Sequence, residues 1–472
     1  MIIRNAACAL PGQTELLRRD IKITDGRIVS IASGIDAAAG EEIIEAEGLE
    51  AWPGAIDPHV HFDEPGFTHR EDFLHGSMAA ARGGVTTVID MPCTSLPPVT
   101  SAANLKTKLA AMGTHSVVDF GLFGGVSGHT LDQSVESGMA ELAPDVLGFK
   151  CYLISGMETF TAVDFFGLSR AAAAAAGLGR PLLLHAEDPS YIKSATEWYK
   201  KLPEKLGRSE SWSDYVESRP AGSELTAVAG AAAYAGQVGA RRWLHIVHVG
   251  TAEAAELLAF LCRSDQAGAA ATCETCPQYL IFSSDDFYAK GAALKTAPPV
   301  KPSGNAEQLW RLLADGTIAF VASDHAPAPV AEKNTGSLWK DYGGIPGSGT
   351  LFPLVYSEGW RKGRLDLPAF LRVTSGAAAR RYGLAGCKGE LEPGKHADIV
   401  LVNPDIEHVV RGEELLSKGT ITPFEGMKLA GKVVRTLVRG KTVWDAANAV
   451  DRAEDGILAA AGWGKQLRWG DK

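Results

Sequence analysis

The chain has 472 residues, 46% hydrophobic and 22% charged, a balance that excludes a disordered polypeptide and calls for more than one hydrophobic core. Its net charge of -10, with no Lys/Arg-rich run, excludes nucleic acid as the main partner, because phosphate binding needs a basic stripe. The longest apolar runs, such as 171–176 and 181–184, are far short of a membrane span, and the first residues lack a basic region followed by an apolar one, so the cytoplasm is the expected compartment.

In chain order, 20–24, the turn Asp25-Gly26 and 27–31 form a hairpin signal. The chain then changes character. Apolar runs at 51–60, 86–91, 117–123, 146–153, 181–185, 243–249, 269–273 and 318–323 alternate with Ala/Leu-rich stretches, including a helix over 171–176. Eight continuous apolar strands separated by helices predict a parallel sheet buried on both faces, closed as a (β/α)8 barrel. An open doubly wound sheet is the alternative, but no G-x-G-x-x-G follows the first strand. The polar segment 193–219 follows a strand end and is expected to cover the barrel mouth as a long loop or as helices. Near the other end, 397–402 reads as a buried strand, and 433–438, Arg439-Gly440 and 441–444 as a second hairpin. The division expected is 1–51 and 391–472 in one small β domain, a β-sandwich built by both termini, around a barrel at 52–390. Residues 391–472 include a C-terminal tail.

Ligand-type side chains fall at the ends of these strands, which converge on one mouth of a barrel. His59 and His61, at i and i+2, share a face and suit one metal, or else two hydrogen-bonded core histidines. His185 ends the fifth run and His248 the sixth; His245, three residues earlier, is expected to face outside. Asp324 ends the last run, where an acid is costly to bury unless a metal or a proton partner satisfies it. Four histidines and one aspartate at four strand ends predict a metal site at the mouth. Lys150 by itself reads as a surface lysine or an ion-pair partner. Seven dispersed cysteines do not form a disulfide pattern, and Cys273 and Cys276, a C-x-x-C without a second pair, read as two thiols near a strand end.

Gly54-Ala55-Ile56-Asp57-Pro58-His59-Val60-His61, Gly148-Phe149-Lys150-Cys151-Tyr152-Leu153, His185-Ala186-Glu187-Asp188, His248-Val249-Gly250-Thr251 and Ser323-Asp324-His325-Ala326-Pro327 resemble the metal motifs of the cyclic amidohydrolases, the group of allantoinase, dihydropyrimidinase (hydantoinase) and dihydroorotase. The resemblance runs from residue 1 to about 445 and implies two divalent ions, zinc expected. His59, His61 and Asp324 would hold one and His185 and His248 the other, with a carboxylated Lys150 bridging and Asp324 carrying the proton. It also implies a small cyclic ureide as substrate and a homo-oligomer, a tetramer. A non-catalytic scaffold of this group would have lost ligands, whereas all six positions are filled.

The positions expected to face substrate are Asp63, Cys93, Ser155 and Ala297. Asp63 stands where dihydroorotases carry an Arg that clamps a carboxylate, and Cys93 where they carry an Asn. Ser155 stands where dihydropyrimidinases carry the Tyr that holds the oxyanion. Allantoinases match best, through His61-Phe62-Asp63-Glu64-Pro65-Gly66, Tyr215-Val216-Glu217-Ser218-Arg219-Pro220 and Trp339-Lys340-Asp341-Tyr342-Gly343-Gly344-Ile345. Allantoin is therefore the expected substrate, with another hydantoin, a dihydropyrimidine or an unassigned cyclic amide as alternatives. Asp63, where Asn is usual, and Gly250, where Ser is usual, depart from the allantoinase pattern.

Overall fold

A computed structural model describes residues 1–133, 135–263 and 270–472. Eight parallel strand segments form the barrel: Ala55–Val60, Val85–Asp90, Asp119–Leu122 running on into Gly124–Gly125, Phe149–Tyr152, Leu182–His185, Leu244–Ile246, Thr272–Thr275 and Phe320–Val321. Neighbours pair in that order. The ring closes through a parallel bridge from Val60 to His325, with the His61 amide donating to the His325 carbonyl at 2.8 Å. Of the expected seventh run, Ala269 lies outside the described residues. The other strands lie inside the expected runs or within one or two residues of them, because barrel strands are shorter than the apolar sequence that surrounds them.

Local sequence explains the alternation. Asp72, Asp164 and Asp188 cap the helices Phe73–Arg82, Phe165–Leu178 and Pro189–Leu206, each accepting from a backbone amide of the first turn. Gly179 and Gly207 end the last two in the left-handed conformation that favours glycine. The polar segment 193–219 is helical over most of its length, continuing Pro189–Leu206 and adding Trp212–Glu217. Inside the ring, Ile56, Phe123, Leu147, Leu183 and Phe320 pack with Tyr382 as a buried apolar layer.

The first apolar run proves to be two strands. Glu50–Pro53 pairs with residues 399–402 outside the barrel, and Ala55–Val60 begins the ring. Gly54 separates them, and a Cβ there would overlap Thr86. The strands of both termini form one mostly antiparallel eight-stranded sheet, in which Ile399–Val409, Lys428–Val438 and Lys441–Asp445 join strands from the first 53 residues. Both hairpin turns carry two positive φ angles, 50° and 76° at Asp25-Gly26 and 47° and 74° at Arg439-Gly440, as two-residue turns of this hand require. The C-terminal tail returns to the barrel, where the Phe120 amide donates to the Lys465 carbonyl and the Leu467 amide to the Phe120 carbonyl.

Burial pushes His396, beside this sheet, and His408, within it, down to about 4. Their neutral forms are favoured in the folded chain, so the unfolded chain takes up protons first as pH falls. The stabilisation is complete above about 6.5 and is lost toward pH 4. The thermal midpoint is expected to drop across that window, and His396→Gln combined with His408→Gln to flatten the drop. An unchanged slope in the double variant would contradict this.

Candidate metal centre

His59 and His61 sit at the end of the first barrel strand, and Asp324 lies just past the last. The closing bridge brings the three together: Asp324 Oδ1 is 3.1 Å from His59 Nε2 and 3.3 Å from His61 Nε2. Across the mouth, His185 Nδ1 lies 3.0 Å from His248 Nε2. The His59 and His248 rings are 5.4 Å apart, so the two groups adjoin.

The far nitrogens fix the tautomers. Glu274, fully buried, accepts from His59 Nδ1 at 2.6 Å and from His245 Nε2 at 3.1 Å. Glu187 accepts from His185 Nε2 at 2.9 Å and is itself ion-paired to Arg219. With those protons committed outward, His59 Nε2 and His185 Nδ1 present lone pairs to the centre, against a carboxylate oxygen in one case and a second imidazole in the other. Electron-rich atoms converging in a buried place call for a shared proton or a metal cation between them. The separations fit one: two ligands each 2.0–2.1 Å from a tetrahedral zinc stand about 3.3 Å apart. Carboxylate partners that orient metal-binding histidines in this way are usual at such sites.

Electrostatics agree. Burial alone would raise the Asp324 carboxyl, but His59, His61 and His248 hold it well below the ordinary range. Burial lowers His61, yet Cys93 and Asp324 more than offset it and push it up to about 10. Lys150 lies among these groups, fully buried, and among the described residues its Nζ has no hydrogen-bond partner. Burial pushes it down to about 8 against the pull of Cys93, Glu274 and Asp324. Two other groups of ligand-type atoms, Glu71/Asp72/His75 and Asp119/His396/Asp398, already contain cations: Lys418 on Asp72, and Lys388 with Arg439 on Asp119.

Residues 51–443 match the amidohydrolase family. The chain belongs to that family. This amidohydrolase is 39% identical over 433 residues to the allantoinase of Rubrobacter xylanophilus, covering 91% of this chain and 92% of the relative. It is 31% identical over 450 residues to an Escherichia coli allantoinase, covering 94% and 95%. Among solved structures it resembles the L-hydantoinase (dihydropyrimidinase) of Arthrobacter aurescens, with TM-score 0.89, 28% identity and 99% of both chains covered. It also resembles the dihydropyrimidinase of Brevibacillus agri, with TM-score 0.86, 27% identity and 100% and 99% covered.

The centre of the amidohydrolase opens into a cavity of about 290 Å³ lined by His59, His61, His185, His248 and Asp324. Of the four positions expected to face substrate, Cys93, Ser155 and Ala297 line it. Asp63 does not: it is fully buried behind the wall, at φ 55°. Burial pushes its carboxyl up to about 7, opposed by His61, Thr94 and Arg70. His245 also departs from expectation. It pairs in register with Leu183, which faces the barrel interior, and its ring stacks on Phe320 with centroids 5.1 Å apart. The expectation assumed unbroken alternation, whereas His248 has φ 38°, a kink that lets both histidines point inward.

Arg70, Tyr152, Glu187, Arg219, Glu274 and Tyr342 also belong to the site, although no role for them is expected from the sequence. Tyr152 and Glu187 stand two residues after Lys150 and His185, so the alternation that paired His59 with His61 could have found both. Arg70 reaches the cavity from a loop, paired to Glu332 at 2.7 Å, with its guanidinium 4.4 Å from the Tyr342 ring centre.

Proposed function

We propose that this amidohydrolase opens a cyclic ureide by metal-assisted hydrolysis of a C–N bond, with allantoin as substrate and allantoate as product, a step of purine catabolism. The observation that carries the reading is the convergence of His59, His61 and Asp324 with His185 and His248 on a small cavity, beside a buried Lys150 whose amine has no hydrogen-bond partner among the described residues. The allantoinase relatives, matched over nine-tenths of their length, favour allantoin among the cyclic amides. Arg70 and Arg219 add charged donors to the wall, which suits a polar ureido group. The hydantoinase and dihydropyrimidinase structures support the second reading, a plain hydantoin or dihydropyrimidine.

His59, His61 and Asp324 would hold one divalent ion, zinc by the donor set, and His185 and His248 the other. Lys150 would bridge them after its neutral amine adds carbon dioxide, forming an Nζ–C bond and releasing a proton, to give a carbamate with two donor oxygens. The ions, when bound, supply Lewis-acid activation of water and of the scissile carbonyl near neutral pH. Asp324, which lines the cavity with its side chain 16% exposed, takes the proton of the attacking water and passes it to the leaving ring nitrogen. Glu274 and Glu187 keep His59 and His185 in the tautomer that directs lone pairs inward. We further infer a homo-oligomer, a tetramer, acting in the cytoplasm. Among the described residues no helix is long and apolar enough to cross a membrane.

The decisive experiment is turnover of allantoin, hydantoin, dihydrouracil and dihydroorotate by protein loaded with Zn, Mn or Co. Allantoin should give the highest kcat/KM. A higher value for hydantoin or dihydrouracil would transfer the assignment to the second reading. No turnover of any ring, together with less than about one metal per chain, would sink the hydrolase reading. Asp63→Arg is expected to create no dihydroorotate turnover, because position 63 lies behind the cavity wall and Cys93 is engaged with Tyr152. Dihydroorotate turnover by that variant would refute the placement.

A further inference from the structure

Hydrolysing an amide builds negative charge on the former carbonyl oxygen, and a donor already aimed at that oxygen lowers the barrier. Among the described residues, Thr94, Ser155, Thr296, Tyr152 and Tyr342 bring hydroxyl-bearing side chains to the cavity wall, and the Thr296 hydroxyl donates to the Pro298 carbonyl at 2.8 Å. Ser155 is committed to its own loop, where its Oγ donates to the Phe160 carbonyl at 2.7 Å and accepts from the Met157 amide at 3.1 Å. Thr94 Oγ1 lies 3.4 Å from His61 Nδ1, on the outer side of that ring.

Tyr152 is placed differently. It pairs in register with His185 and stands two residues after Lys150, so all three side chains share the inner face. Its ring stacks on His185 with centroids 5.2 Å apart, and Lys150 Nζ lies 4.9 Å from its centre. Its hydroxyl lies 3.0 Å from Cys93 Sγ. Sulfur is a weak acceptor that an oxyanion readily replaces. The geometry points to Tyr152 as the oxyanion donor of this site, with its O–H directed to the carbonyl oxygen of the ring under attack. The hydroxyl keeps its proton throughout. This assignment rests on the cyclic-amide reading for the identity of the oxyanion, not for the position of the hydroxyl.

Two measurements test it on the metal-loaded, full-length protein. Tyr152→Phe should lower kcat about 10²- to 10³-fold on whichever ring the wild type opens, with KM and metal content little changed. An unchanged kcat in Tyr152→Phe overturns the assignment. Calorimetry with methylphosphonate, a tetrahedral oxyanion, needs no turnover. The wild type should bind it at least tenfold more tightly than Tyr152→Phe, the size of one hydrogen bond to a charged oxygen. Equal affinity, or no binding to either protein, overturns the Tyr152 assignment whatever the substrate panel gives. Failure of the panel alone, with the tenfold difference intact, counts against the cyclic-amide reading and not against Tyr152.

Discussion

Lys150→Met is expected to abolish turnover and to remove most bound metal while leaving the unloaded protein at least as stable as the wild type. The two effects have opposite origins. Lys150 is fully buried, and among the described residues its amine has no hydrogen-bond partner, so in the folded chain it costs desolvation and returns no hydrogen bond. A methionine of similar length removes that cost. A lysine kept only for packing would show the reverse: stability lost and activity kept.

The metal effect follows from position. Lys150 is an electrostatic neighbour of His59 and Asp324 in one group and of His248 in the other, and as a bridge it would tie the two together. Loss of a partner that merely orients a ligand weakens metal binding about 10- to 100-fold, so loss of the bridge should exceed about 100-fold. Lys150→Arg should fail in the same way, because a guanidinium stays charged and forms no carbamate. Metal analysis after gel filtration, thermal unfolding of the unloaded protein and turnover at saturating zinc measure the three effects. Full activity in either variant refutes the bridge.

The barrel and its site were legible in the sequence to different depths. The eight apolar runs revealed the ring because strands buried on both faces must be continuously apolar, and the histidines stood out because polar residues ending such runs need a reason. Alternation then placed His59 beside His61. It failed at His245, because φ 38° at His248 breaks the two-residue period and no neighbouring residue announces a positive φ at a histidine. Asp63, expected at the substrate from the resemblance rather than from alternation, has φ 55° and does not line the cavity. Glu274 was hidden because its value lies in two partners, His59 and His245, that are distant in sequence and adjacent only after the ring closes. The split at Gly54 was hidden too, since Trp52 and Ile56 are equally apolar although one belongs to the terminal sheet and the other to the barrel interior.

Asp324→Asn is expected to lower kcat by at least about 10³-fold even at saturating metal, the upper part of the range for losing a positioned acid–base group. Asparagine is the informative replacement. Asp324 sits at φ 51°, a left-handed conformation that Asn and Asp tolerate better than other side chains, so the backbone need not move. The surrounding frame is also independent of the carboxylate. Ser323 donates to Asp57 through its amide at 3.0 Å and its hydroxyl at 2.5 Å, and His325 is held by Glu71 at 3.0 Å. What the substitution removes is one negative charge and the ability to take a proton. The charge loss weakens the ion held by His59 and His61, which added metal can overcome; the proton loss cannot be overcome that way. A titration with zinc therefore separates the two roles. If kcat recovers to the wild-type value as metal occupancy is restored, Asp324 is a ligand and the proton moves by another route. If occupancy is restored and kcat stays about 10³-fold low, the carboxylate is the group that carries the proton from the attacking water to the leaving nitrogen.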